Sequence, residues 1–157
     1  MVEPFSKSQW ITTLNLASNE KKEIRARRYS RKGLREERRA PLFRNEFSLE
    51  RKFQSAKLNI CGLGYYEAWI NQKRVGDHVL DPAQSDYEHR VFYVSHDITS
   101  LIQRGNNCIG IMLGNGWYNQ DRVWGRNGLS YGTPRLICEL QILLDDGTSF
   151  IIGSNTS

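Results

Sequence analysis

Large apolar residues at Phe43, Phe47 and Leu49 are separated by polar ones, the alternation of a strand with one face buried. The apolar phase returns at Leu58 and Ile60, then at Tyr66, Ala68 and Ile70. Gly62-Leu63-Gly64 lies between, so two strands are expected to meet at a glycine-rich turn. Asn71-Gln72 is the next expected turn. A two-residue type I′ hairpin needs positive φ at both positions, and Gln72 suits that poorly. Val75 and Val79-Leu80 continue the pattern to Asp81-Pro82, and Arg90-Val91-Phe92-Tyr93-Val94 is a compact β-prone run. One short helix is expected after Asp97 or Thr99 as cap, with Leu101 and Ile102 inward and Gly105 as its left-handed exit. Asn107 to Leu113 reads as a buried strand that stops at Gly114-Asn115-Gly116. Arg135 to Leu144 and Ser149 to Ile152 flank Asp145-Asp146-Gly147 as a hairpin. About seven or eight short strands with almost no helix predict an all-β antiparallel sandwich.

Upstream the pattern fails. In the segment 20–39, Ile24, Tyr29 and Leu34 recur every five residues, which fits neither a helix face nor a strand. The sequence therefore divides into a lead-in with a charged, loop-like insert (1–39) and a sandwich module (40–157). The insert holds ten Lys or Arg against four acids, leaving 12 basic and 13 acidic residues elsewhere. The net charge of +5 thus describes one local run, and no nucleic-acid partner is expected. No stretch approaches the roughly 20 apolar residues of a membrane helix, and the first residues lack a signal-peptide pattern, so no membrane partner is expected either. Cys61, Cys108 and Cys138 lack paired Cys-x-x-Cys spacing and read as buried free thiols. His78, His89 and His96 form no metal-spaced pair and are expected at the surface, while Asn155-Thr156-Ser157 matches a glycosylation acceptor.

Five motifs in order resemble the N-terminal domain of bacterial α-L-rhamnosidases. They are APLFRNEF at 40–47, GLGYYEAWIN at 62–71, VGDHVLDP at 75–82, SDYEHRVFYVSHDIT at 85–99 and GNNCIGIMLGNGWY at 105–118. Trp10-Ile11 is similar to a short upstream strand of such proteins. The resemblance implies a jelly-roll sandwich of the galactose-binding type. It also implies as partners the further β domains and the catalytic α/α-barrel of the same polypeptide, and an L-rhamnose-containing glycan. Two departures stand out: the family commonly has Asn-Gly where this chain has Asn71-Gln72, and the 20–39 insert is long.

No catalytic residue is expected within this chain. A glycosidase needs two carboxylates flanking one bond. Asp77, Asp81, Asp86 and Glu88 cluster in sequence, but they read as solvated loop carboxylates, because the resemblance puts catalysis in the barrel. Binding chemistry gathers in the loop from Asn115 to Tyr131. There Trp117, Tyr118, Trp124 and Tyr131 offer faces for sugar CH groups, and Asn119, Arg122, Arg126 and Asn127 offer partners for hydroxyls. Trp117 and Tyr118 fit equally an aromatic plug that closes the end of the sandwich. No cofactor is required. Some modules of this kind bind rhamnose through calcium, and Asp81, Asp86, Asn127 and carbonyls near Pro134 supply the oxygen ligands that ion prefers.

Overall fold

The computed structural model describes residues 3–12, 40–120 and 129–155. The charged insert at 20–39 lies outside the described residues, as do Arg122, Trp124, Arg126 and Asn127 and the end of the glycosylation acceptor.

The alternation folds as two four-stranded antiparallel sheets. The first contains β1 (Leu42–Leu49), β3 (Tyr66–Ile70), β4 (Lys73–Arg74) and β6 (Gly105–Leu113), in the order β1-β6-β3-β4. The second contains β2 (Phe53–Leu63), β5 (Val94–Asp97), β9 (Arg135–Leu144) and β10 (Ser149–Gly153), in the order β10-β9-β2-β5. A small ribbon pairs β7 (Asn119–Gln120) with β8 (Leu129–Ser130). Between the sheets, Ala56, Leu58 and Ile60 of β2 meet Ala68 and Ile70 of β3, Ile109, Ile111 and Leu113 of β6, and Leu136, Leu140 and Ile142 of β9. Burying these residues is the main favourable contribution to folding, at roughly 1.5–3 kcal/mol for each large aliphatic side chain. The expected helix is a single 3₁₀ turn, Thr99–Leu101, with the Thr99 amide donating to Asp97 Oδ1 at 2.9 Å.

The hairpin between β3 and β4 forms despite Gln72. Asn71 and Gln72 take φ of 49° and 69°, the left-handed pair that the turn requires. Asn71 holds it in place: its Nδ2 donates to Leu101 O and Asn107 Oδ1, and its Oδ1 accepts the Cys108 amide, all within 3 Å. Gln72 has no such compensation on its own backbone, so Gln72→Gly is expected to raise stability by about 0.5–1 kcal/mol in urea unfolding. A loss of stability would show that the Gln72 side chain matters more than its strained φ.

Three expectations are corrected. Val91, Phe92 and Tyr93 are not in a strand, and all three are exposed; β5 begins only at Val94, where pairing with Ile60 starts. Val79 and Leu80 likewise lie outside any strand, at 73% and 64% exposure. His96 is not a surface residue. It sits opposite Leu58 in β5 and is 9% exposed, whereas His78 and His89 are exposed as expected.

The lead-in crosses the outer face of the second sheet at Phe5, Lys7 and Ser8 and then joins that sheet in plane at Ile11. Ile11 bridges Leu136, and the Gln9 amide donates to Ser154 O at 2.7 Å. Glu139, fully buried on β9, accepts the Phe5 amide at 3.0 Å, the Lys7 amide at 2.9 Å and the Ser8 hydroxyl at 3.2 Å.

Candidate functional site

One end of the sandwich is closed by two glycine turns packed backbone to backbone. Gly64 has φ of 118°, and a Cβ there would lie 2.0 Å from the Gly114 carbonyl oxygen. Gly116, at φ of 47°, also approaches Gly64: its Cβ would fall 2.9 Å from the Gly64 carbonyl carbon. The Gly114 amide donates to Tyr65 O at 2.6 Å across this contact. Only glycine combines that backbone conformation with that approach. The turns bring Tyr65 and Trp117 together, with the Trp117 indole beside the Tyr65 hydroxyl. Burial raises the Tyr65 pKa above the ordinary phenol value, so the group stays a neutral hydroxyl.

Beyond Trp117 the chain enters an aromatic cluster. Tyr118 is 7% exposed and packs with Cys61, Leu63 and Ile137 on the outer face of the second sheet, where Phe5 and Tyr87 join it. The Tyr131 amide donates to Tyr118 O at 2.9 Å, which sets the two rings side by side, stacked at 5.9 Å and 25°. Tyr87 meets both edge-on, at 5.3 and 5.2 Å. Tyr131 keeps 37% of its surface open to solvent and Trp117 is half-buried. Tyr118 is thus buried against the outer face of the second sheet. Tyr131 is the most exposed ring of the three and touches both Tyr118 and Tyr87. Tyr87 was missed in the sequence, because nothing at position 87 shows that its loop folds back to the sandwich end.

Two of the four loop carboxylates, Asp81 and Asp86, are engaged with histidines. Asp81 Oδ2 lies 2.9 Å from His78 Nδ1 and 3.5 Å from the Tyr66 hydroxyl, which in turn is 2.9 Å from His96 Nε2. Burial lowers the His96 pKa, so the ring is held neutral in a site where a hydroxyl is its partner. Asp86 Oδ2 lies 2.8 Å from His89 Nδ1, and Asp86 Oδ1 accepts the Glu88 amide at 3.3 Å. The Pro134 carbonyl accepts the Thr12 hydroxyl at 2.9 Å. Among the described residues no three His, Cys, Asp or Glu side chains converge where a metal would sit. Asp81 and Asp86 by themselves therefore fall well short of the 6–8 oxygens calcium takes. The three cysteines are free thiols: Cys61 is buried, and Cys108 and Cys138 are half-buried. Burial pushes the Cys61 and Cys138 thiols up to about 12, which leaves both uncharged and unreactive near neutral pH. Among the described residues no helix is long and apolar enough to cross a membrane.

With the geometry in place, comparison with known proteins gives a consistent set of relatives. The family model described as Alpha-L-rhamnosidase N-terminal domain matches residues 51–157. An alpha-L-rhamnosidase of Formosa agariphila is 44% identical over 114 residues, covering 69% of this chain and 12% of that protein. The crystal structure of native α-L-rhamnosidase from Aspergillus terreus superposes with a TM-score of 0.72 at 39% identity, over 78% of this chain and 14% of that one. That of Streptomyces avermitilis alpha-L-rhamnosidase complexed with L-rhamnose gives 0.70 at 36% identity, over 74% and 12%. The chain thus spans about an eighth of the length of these relatives.

Proposed function

This chain belongs to the alpha-L-rhamnosidase N-terminal domain family, and from that premise we propose that it is a non-catalytic module of a larger α-L-rhamnosidase polypeptide that recognises L-rhamnose-containing glycans. The parent polypeptide would hydrolyse terminal α-L-rhamnose, with its catalytic carboxylates elsewhere in its length. The observation that carries the recognition reading is the Tyr131 ring, 37% exposed and held in contact with the Tyr118 and Tyr87 rings. An aromatic face held in place is what the CH groups of a pyranose ring stack on.

The test is a calorimetric titration of the 157-residue chain with L-rhamnose and rhamnose-containing oligosaccharides, in calcium and in chelator. Saturable binding is expected, with Tyr131→Ala weakening it about three- to tenfold, the worth of one aromatic contact. A loss of binding in chelator would add calcium to the site, through oxygen ligands beyond Asp81 and Asp86. No heat at millimolar sugar under either condition would overturn the recognition role.

A second reading is a structural domain that packs against the other domains of its polypeptide. It is favoured by the exposed Val79, Leu80, Val91, Phe92 and Tyr93, all on the loop between β4 and β5. Leu80 adopts φ of 60°, a costly conformation for a branched side chain. Concentration-dependent self-association of the chain, abolished by Phe92→Ser with Leu80→Ser, would support that reading.

A further inference from the structure

The outer face of the first sheet carries a pattern that the core does not call for. Ala68 and Ile70 of β3 and Ile109 and Ile111 of β6 point between the sheets, so alternation turns Trp69 and Gly110 outward, and Trp69 is only half-buried. The register sets them in one row across the face, Arg44-Gly110-Trp69-Arg74. The next row pairs Glu46 with Cys108, and the one after it Ser48 with Asn106. Glycine inside a strand weakens it, and marks a bulge, a bend or a place where a ligand or another backbone comes close. At Gly110 the pairing runs through without a shift on either side and no left-handed φ is needed, so neither bulge nor bend accounts for it. Crowding does not account for it either, because a Cβ there would meet nothing within 4 Å. The space over Gly110 is open, with Trp69 on one side and Arg44 on the other. One row further along, Glu46, Ser48, Asn71, Asn106 and Cys108 line a cavity of about 430 Å³. Arg44 and Glu46 pair with each other, and both side chains are largely exposed, so a ligand replaces that contact at little cost.

We propose that this face is a second carbohydrate site, in which a pyranose ring rests on the Gly110 backbone against the Trp69 indole and its hydroxyls are read by Glu46 and Asn106. The groups present match that occupant. An indole takes the CH face of the ring, a carboxylate accepts from hydroxyls, and a carboxamide both donates and accepts. A protein partner fits less well, since protein interfaces keep charge out of their centres, and here an Arg–Glu pair adjoins the Gly110 floor directly. The inference goes beyond the Tyr131 reading. That cluster packs on the second sheet, so the two sites lie on opposite sides of the sandwich and stand or fall separately.

Residue-resolved NMR separates the two sites where calorimetry sums them. On titration of the 157-residue chain with L-rhamnose and rhamnose-containing oligosaccharides, saturable shifts are expected at the Cys108, Gly110 and Trp69 amides and at the Trp69 indole. Gly110→Val fills the open space with a branched side chain that strands favour. It is expected to raise the Tm by about 2–3 °C, to abolish the shifts on this face and to leave those around Tyr131 unchanged. A gain in stability with a loss of binding is the mark of a residue kept for a ligand. Trp69→Ala is expected to weaken binding at this face about tenfold. If Gly110→Val lowers the Tm instead, Trp69→Ala decides alone, and unchanged affinity at this face overturns the inference. Still signals at Cys108, Gly110 and Trp69 in millimolar sugar overturn it as well, while shifts around Tyr131 would keep the first reading standing. Silence at both places overturns both.

Discussion

Gly64→Ala is expected to lower the Tm of the chain by about 10 °C, the size of a loss of roughly 3–5 kcal/mol in a domain of this length. Two costs coincide at that position. The φ of 118° lies in a region that L side chains rarely adopt, and the new Cβ would fall 2.0 Å from the Gly114 carbonyl oxygen and 3.0 Å from its carbon. Both obstructing atoms are backbone, so no side-chain rotation relieves the contact, and the 114–116 turn must move away from Gly64. Trp117 and Tyr118 follow directly on that turn, so sugar binding should be lost with it. Gly114→Ala is the matched control. Its Cβ would meet only the Tyr65 carbonyl oxygen, at 3.4 Å, which is close to ordinary contact distance. Thermal unfolding of the two variants decides the matter: similar small shifts would mean that the glycine turns are not the tight joint that holds the aromatic end.

That joint was legible in the sequence only as punctuation. Gly62-Leu63-Gly64 and Gly114-Asn115-Gly116 mark strand ends by composition, but their contact lies 50 residues apart in the chain and no local pattern reveals it. The two sheets were readable because alternation is local. Ala56, Leu58 and Ile60 face the core at every second position, as do Leu140, Ile142 and Leu144 opposite. Reading failed where local preference and available partners diverge. Val91, Phe92 and Tyr93 have strand-forming side chains, but pairing with β2 starts only at Val94 opposite Ile60, although β2 itself runs on to Leu63. His96 could have been placed: it is two residues from both Val94 and Ile98, on the strand face that turns inward, which outweighs the usual exposure of a lone histidine. The candidate site was half legible. Composition pointed to the stretch from Asn115 to Tyr131, and the structure closes its ends into a ribbon with Tyr118 and Tyr131 stacked. Which ring is buried and which is open depended on Phe5, Tyr87 and the face of β2 and β9, none of which the loop sequence contains.

Glu139 is the clearest case of a signal present in the sequence and left unused, a charged residue in the middle of the apolar run from Leu136 to Leu144. The register explains it. Glu139 lies opposite Asn59 on the outer face of the second sheet, and its carboxylate accepts the Phe5 and Lys7 amides, the Ser8 hydroxyl and the Gln141 side-chain amide. A fully buried carboxylate is tolerated because four donors replace its water. The same contacts hold the lead-in strand, and with it Phe5, against the cluster that includes Tyr118 and Tyr87. Glu139→Ala removes the common acceptor of those donors, and a loss of about 3 kcal/mol is expected in denaturant unfolding, in the range for breaking a buried charged network. Glu139→Gln should cost less, because it keeps one acceptor oxygen but cannot serve both the Phe5 and Lys7 amides as a carboxylate does. Amide hydrogen exchange identifies the cause: in the Ala variant protection should fall at Gln9 and Ile11, which bond to Ser154 and Leu136, while Leu58 and Ile60 in the core keep theirs after correction for global stability. Uniform loss across both groups would mean that Glu139 supports the sandwich itself. Loss confined to the lead-in would show that the aromatic end is assembled partly from a strand that precedes the sandwich, held by a single buried carboxylate.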